Sequence, residues 1–140
     1  IRKVKIVPGP RLLMYRNGDG KPKAVRTEDL CRYLREIAGA PVTAKDFRTL
    51  HASALAAEAL ARLEPAESVS GRKRQMAAVT KQVAAFLQNT PAICRASYIA
   101  PCLYALFDKG KLGAMWSAVT DTRGLRQREA RLSGVLAVVG

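Results

Sequence analysis

Hydrophobic residues recur every three or four positions from Thr27 onward, and this spacing predicts a mainly helical domain. In the first such segment Leu30, Leu34 and Ile37 share one helix face with Tyr33. Proline, glycine and hydroxyl residues separate the segments and mark their ends. The pattern predicts helices at about 27–38, 43–63, 72–87, 91–100, 101–107, 112–119 and 125–138.

The helix predicted at 43–63 is rich in alanine and leucine. Its periodicity places four residues toward the core: Phe47, Leu50, Ala54 and Leu55. The segment "EPAESVSG" that follows is predicted to be a polar loop, with the next helix beginning at "RKRQ".

Residues 1–26 form the only segment with β character. The stretches "RLLMYR" and "PKAVR" flank "NGDGK", whose Asn-Gly and Asp-Gly pairs favour a tight hairpin turn. Residues 1–7, "IRKVKIV", fit either a strand or the end of a helix. The prediction is one domain over 1–140, with a small N-terminal hairpin edge at 1–26 and a helical part at 27–140.

Composition and net charge indicate the class of binding partner. The 140 residues are 49% hydrophobic and carry a net charge of +13, with a pI of about 10.3. Such an excess favours a polyanionic partner, and double-stranded DNA is the partner we expect. No apolar run is long enough to span a membrane. The chain has three cysteines and one histidine, and no two of the cysteines form a CxxC pair: Cys31, Cys94 and Cys102. We therefore expect neither a metal site nor a cofactor. We expect the cysteines to be reduced, buried thiols in a cytoplasm.

A short predicted helix presents a tyrosine near its end. Thr90 followed by Pro91 is typical of a helix start, and Pro101 disfavours helical geometry at the preceding residue. Tyr98 therefore lies in the last turn, with Arg95 one turn earlier. The pattern leaves open whether Tyr98 is an ordinary amphipathic aromatic or a reactive phenol.

A second cluster of chemistry lies in "KDFRT". Lys45 and Arg48 are three apart and share a helix face close to the helix start, where an anion would offset the unfavourable dipole. A phenol is a poor nucleophile unless cations stabilise its ionised form, and arginine's forked donors match phosphate oxygens. Tyr98 and Arg48 in a basic domain fit attack on a nucleic-acid backbone, although spacing alone does not establish this.

The two motifs in order, "TAKDFRT" at 43–49 and "NTPAICRASYI" at 89–99, resemble the catalytic domain of the type IB DNA topoisomerases, in particular their bacterial and poxvirus-like branch. The segment from the hairpin to "REIAG" also resembles the one that precedes the first motif there. The similarity runs from about Pro8 to Val119. It implies the C-terminal portion of the multi-helix DNA breaking-rejoining fold, and an isomerase that relaxes supercoils without ATP or an obligatory metal.

The resemblance also implies roles for individual residues. Tyr98 matches the nucleophile that forms a 3′-phosphotyrosyl bond, and Arg48 matches the arginine that clamps the scissile phosphate. Asn89 lies where many members have histidine and bacterial ones often have asparagine, which can donate a hydrogen bond but carries no charge. Lys45 matches a basic residue one turn before the arginine and is expected to make a secondary phosphate contact.

Two parts of the family's site lie upstream of the hairpin: a second arginine and the lysine that acts as general acid. The resemblance implies that Ile1 comes after both, and that an N-terminal DNA-clamp domain is missing as well. We therefore expect these 140 residues to relax DNA poorly or not at all on their own. The resemblance further implies a monomer acting on the nucleoid.

Further basic residues are candidates for phosphate contacts: Arg95 and, in "GRKR", Arg72, Lys73 and Arg74. His51 is expected to be a helix-surface histidine. Two alternatives stay open. One is a tyrosine recombinase. The evidence against it is Lys45, because those enzymes have a histidine at this position. The other is a DNA-binding module without catalysis.

Overall fold

The computed structural model describes residues 11, 13–119 and 127–139. The question of strand or helix at 1–7 and the predicted helix start at 125 lie outside the described residues. The chain divides into two compact units, Ile1–Ala44 and Lys45–Gly140, which are described in turn.

The first unit contains the predicted hairpin. Strands β1 (Met14–Arg16) and β2 (Pro22–Ala24) pair antiparallel, with Tyr15 opposite Lys23. In the turn, the Asn17 side-chain Oδ1 accepts a hydrogen bond from the Lys21 backbone N–H at 2.9 Å. Asparagine thus closes the loop between Arg16 and Pro22 with its own side chain, at the position where the sequence predicts the hairpin turn.

Helix α1 (Thr27–Ala38) follows the hairpin within the same unit. The Asp29 carboxylate accepts a hydrogen bond from the Arg26 backbone N–H at 3.0 Å, and this contact holds the pKa of Asp29 below its ordinary value. Gly39 ends the helix with φ of 60°, a left-handed conformation that glycine adopts at low cost. The predicted bounds of this helix are confirmed.

The remaining described elements are helical, which confirms the mainly α fold with a small hairpin. They are α2 (Ala44–Ala61), α3 (Val69–Phe86), α4 (Pro91–Ser97), α5 (Pro101–Asp108), α6 (Leu112–Ala118) and α7 (Gln127–Val139). Helix α3 begins three residues before the predicted start at Arg72. Ser68, which the sequence assigned to a loop, caps it by accepting a hydrogen bond from the Gly71 N–H at 3.0 Å.

The core of the second unit is built around the later turns of α2. Its buried residues there are small, apart from Leu60: Ala52, Ser53, Ala54, Ala56 and Ala57. Large side chains from other helices fill the space around them: Leu103, Phe107, Leu112 and Leu132. The later turns of α2 therefore lie within the core of this unit, while its first turns, which carry Lys45 and Arg48, are exposed.

Two inward positions predicted for α2 are wrong. Phe47 and Leu50 are 40% and 39% exposed, whereas Ala54 is fully buried and Leu55 is half-buried. Periodicity identifies a helix face but not where along the helix packing begins, and burial on α2 begins at Ala52. The cysteines are unpaired as expected, but only Cys94 is fully buried.

Candidate functional site

Tyr98 lies at the end of α4, one position beyond the last helical residue. Thr90 caps the start of the helix by accepting a hydrogen bond from the Ile93 N–H at 3.3 Å, and Pro91 occupies the first turn as predicted. The Tyr98 N–H donates to the Cys94 carbonyl oxygen at 3.0 Å, as in a last helical turn, and the Ile99 N–H donates to the same oxygen at 3.1 Å. The helix ends at Ser97, slightly earlier than the predicted position near Ala100. Tyr98 is half-buried and packs against the core.

Arg48 reaches Tyr98 from α2. Its guanidinium carbon lies 5.3 Å from the centroid of the Tyr98 ring, a cation–π distance between residues fifty positions apart. Its Nη2 atom also donates to the Leu87 carbonyl oxygen at 3.0 Å. The Leu87 partner is a backbone carbonyl, which carries no formal charge, so this hydrogen bond does not neutralise the guanidinium.

Ser53 joins the backbone around Tyr98 to the helix that carries Arg48. Its Oγ donates to the Tyr98 carbonyl oxygen at 3.1 Å and accepts from the Ala100 N–H at 3.0 Å. The residue is 3% exposed. Sequence reasoning missed Ser53, and the available signal was a hydroxyl within an alanine-rich, core-facing run.

Asn89 lies in the turn that ends α3. The Gln88 N–H donates to Ala85 O at 3.2 Å and the Asn89 N–H to Ala84 O at 2.9 Å, with Gln88 left-handed at φ of 53°. These paired contacts form a Schellman motif in which glutamine takes the usual place of glycine. The same turn holds the Leu87 carbonyl that binds Arg48. Asn89 is half-buried, and its Oδ1 accepts from the Thr90 N–H at 3.3 Å.

The predicted phosphate-contact residues fall into two groups, and the first is exposed. Lys45 lies in the first turn of α2, while Lys73 and Arg74 lie in the first turns of α3. All three side chains are accessible to a large anionic partner.

Arg72 and Arg95 make contacts within the second unit. Arg72 Nε donates to Asp108 Oδ1 at 2.7 Å, and its Nη1 donates to the carbonyls of Ala66 and Glu67 at 2.9 and 2.7 Å. The Arg95 guanidinium carbon lies 4.4 Å from the centroid of the Tyr104 ring. Arg72 therefore fastens the 62–68 loop to α3 and α5, which the sequence did not indicate.

His51 is also engaged. Its Nδ1 lies 2.8 Å from Glu129 Oε1, and its ring centroid lies 5.4 Å from that of Phe86. The hydrogen bond with His51 holds the pKa of Glu129 below its ordinary value of 4.5. An ion pair between Arg128 and Glu58 also joins α7 to α2. The expected surface histidine is thus a partly exposed link between these two helices.

Within the described parts of the chain, no group of three or more His, Cys, Asp or Glu side chains could hold a metal ion. None of the helices described is long and apolar enough to cross a membrane.

Comparison with known proteins assigns the family. The family described as "Eukaryotic DNA topoisomerase I, catalytic core" matches residues 14–100, which is more than half of the chain and includes Arg48, Asn89 and Tyr98. The chain therefore belongs to the DNA topoisomerase I catalytic-core family, whose substrate is DNA. A search of curated proteins found no match.

Proposed function

We propose that this domain carries out the chemistry of a type IB DNA topoisomerase, with Tyr98 as its nucleophile. In the reaction, Tyr98 Oη forms a bond to the scissile phosphorus while the bond from phosphorus to the 5′ oxygen breaks. The phenol loses a proton and the 5′ oxygen gains one, which leaves a 3′-phosphotyrosyl bond and a free 5′ hydroxyl. Religation reverses each change, so a complete cycle relaxes supercoils without ATP.

The observation that carries this proposal is the approach of Arg48 to Tyr98. An arginine within reach of the phenol can bind non-bridging phosphate oxygens with two parallel N–H groups while the phosphate lies against the nucleophile. One guanidinium N–H already binds Leu87, which fixes the direction of the group before DNA arrives. Preorganised donors of this kind stabilise the charge that develops in the transition state.

Asn89 and Lys45 complete the proposed phosphate site. The Asn89 amide can donate a hydrogen bond to a non-bridging oxygen, and the turn at Gln88 fixes its backbone next to the Arg48 anchor. Lys45 adds an exposed positive charge one turn before Arg48. An asparagine in the place of histidine supports assignment to the bacterial and poxvirus-like branch, whose members we propose as the nearest functional counterparts.

The proposed partner is double-stranded DNA, bound mainly through its backbone by a monomer acting on the nucleoid. The net charge of +13 supports this, together with the exposed Lys73 and Arg74. Arg95 is a further candidate, with its guanidinium resting on the Tyr104 ring.

The test is to trap the covalent intermediate. Because the resemblance places the general acid upstream of this domain, the native protein used here is the full-length protein that contains the domain. It is incubated with a DNA duplex nicked so that the fragment carrying the 5′ hydroxyl dissociates after cleavage, and adducts are resolved by denaturing gel electrophoresis. We expect an adduct at the 3′ end of the cleaved strand, with its peptide modified at Tyr98 and lost in Tyr98→Phe. Tyr104→Phe is the matched control, since that buried hydroxyl binds Thr80.

Other outcomes lead to different conclusions. An adduct that survives in Tyr98→Phe would overturn the assignment of the nucleophile. Binding without any adduct would favour a non-catalytic DNA-binding module. Adducts confined to one DNA sequence, followed by strand exchange, would favour a tyrosine recombinase.

A further inference from the structure

We infer that Ser53 is a positioning residue that sets the approach of Arg48 to Tyr98, an inference that rests on the proposed function of these two side chains. Ser53 and Arg48 lie on the same helix, five residues apart. The Ser53 hydroxyl makes hydrogen bonds to the backbone on both sides of Ile99. It therefore joins this helix to the segment that carries the proposed nucleophile.

The local backbone explains why such a link is needed. Tyr98 follows the last residue of α4, and Pro101 begins α5, so residues 98–100 lie between two helices. The Ala100 N–H and the Tyr98 C=O lie at the break between these helices, and Ser53 Oγ binds both. One hydroxyl therefore fixes both ends of the three-residue connection.

The burial of Ser53 makes this link rigid. The residue is 3% exposed, and the adjoining Ala52 and Ala54 are fully buried, so water cannot readily replace the hydroxyl. Without it, the connection between α4 and α5 keeps its helices but loses its fixed distance to α2. The Arg48 guanidinium would then meet a Tyr98 ring whose position varies, and a displacement of about 1 Å in a reacting group can cost about 100-fold in rate.

The experiment compares Ser53→Ala with a matched control in the native protein. Gln75→Leu removes another side chain that both accepts from a backbone N–H, that of Ala66 at 2.9 Å, and donates to a backbone C=O, that of Glu64 at 2.8 Å. Both variants lose two backbone contacts, but only Ser53 adjoins Tyr98. The measurements are the rate of covalent adduct formation at saturating nicked duplex and the dissociation constant of that duplex.

We expect Ser53→Ala to slow adduct formation by about 10- to 100-fold at saturating DNA, with the dissociation constant changed by less than about threefold. Gln75→Leu is expected to retain the wild-type rate within about twofold. A Ser53→Ala rate equal to that of the wild type would overturn the inference. So would an equal loss of rate in Gln75→Leu, because general destabilisation would then explain both.

A second measurement does not depend on catalysis. Nuclear Overhauser contacts between the Tyr98 ring and the Arg48 side chain are expected in the wild type and in Gln75→Leu, and are expected to weaken or vanish in Ser53→Ala. Unchanged contacts would overturn the inference. A wild-type protein that forms no adduct would overturn the proposed function instead, while these contacts would still decide whether Ser53 holds the two side chains together.

Discussion

Arg48 is fastened to the end of α3 by the hydrogen bond from its Nη2 atom to the carbonyl oxygen of Leu87, at 3.0 Å. The acceptor belongs to the turn that also carries Asn89. One guanidinium therefore contacts two segments of the proposed site, the turn after α3 and the Tyr98 ring at the end of α4. The planar guanidinium can contact the Leu87 carbonyl and the Tyr98 ring while its remaining N–H groups stay available to other acceptors.

This geometry predicts that lysine cannot replace Arg48. Arg48→Lys keeps the charge but loses the planar fork, so it cannot hold Leu87 and two phosphate oxygens together. We expect adduct formation at saturating DNA to fall by about 100- to 1,000-fold, the usual effect of losing a preorganised donor to the transition state. The measurement is single-turnover cleavage of nicked duplex.

The control for that substitution is Arg62→Lys, at an exposed arginine just after the end of α2 that pairs with Glu58 of that helix. It is expected to change the cleavage rate by less than about twofold. Cleavage by Arg48→Lys within about threefold of the wild type would contradict a bidentate role for the guanidinium.

The left-handed conformation of Gln88 predicts an unusual stabilising substitution. A side chain at φ of 53° is sterically strained, whereas glycine is not. Gln88→Gly should therefore raise the free energy of unfolding. The expected increase is about 0.5–1 kcal/mol, because the greater flexibility of glycine in the unfolded chain offsets part of the gain. Urea denaturation followed by circular dichroism measures the change.

Gln82→Gly is the matched control for this prediction. Gln82 is an exposed glutamine inside α3, where glycine is expected to lower the free energy of unfolding by about 1 kcal/mol. If both substitutions destabilise the protein equally, the left-handed turn at Gln88 is incorrect.

How far the site follows from sequence depends on the range of each interaction. The start of α4 follows from Thr90 and Pro91, because caps and proline act within one turn, whereas Pro101 predicted the start of α5 but not the end of α4 at Ser97. The pairing of Arg48 with Tyr98 was expected only through the family resemblance, since no local rule relates residues fifty positions apart. The hydrogen bonds of Ser53 were not predicted, because the partners of a serine within a helix depend on how other segments pack against that helix.

The pKa of Glu129 predicts a pH-dependent contribution to stability. Its pKa is lowered in the folded protein, chiefly by the hydrogen bond with His51, so the ionised carboxylate stabilises the fold above the ordinary value of 4.5. That contribution is lost as the pH falls through the lower folded-state value. We expect Glu129→Gln to lower the free energy of unfolding at pH 6 by about 1 kcal/mol or less, as is usual for a partly exposed pair.

The measurement is urea denaturation of wild type and Glu129→Gln at several pH values from 6 down to 3. The difference between the two proteins should shrink as the pH falls below 4.5. Glu67→Gln, at an exposed position, should show little difference from the wild type at any of these values. A difference for Glu129→Gln that stays constant down to pH 3 would contradict the link between His51 and Glu129.

The contacts of Arg72 predict that adjacent basic residues on α3 have different roles. Lys73 and Arg74 are exposed, so replacing both with glutamine should reduce the salt dependence of DNA binding, with the slope of log K against log salt falling in magnitude by about 1–2. Arg72→Gln should leave the slope nearly unchanged but lower the thermal midpoint, because it removes the bonds to Asp108 and the 62–68 loop. Binding titrations at several salt concentrations, with thermal denaturation of each variant, measure both effects. An equal change of slope in Arg72→Gln would show that DNA binding displaces those internal contacts.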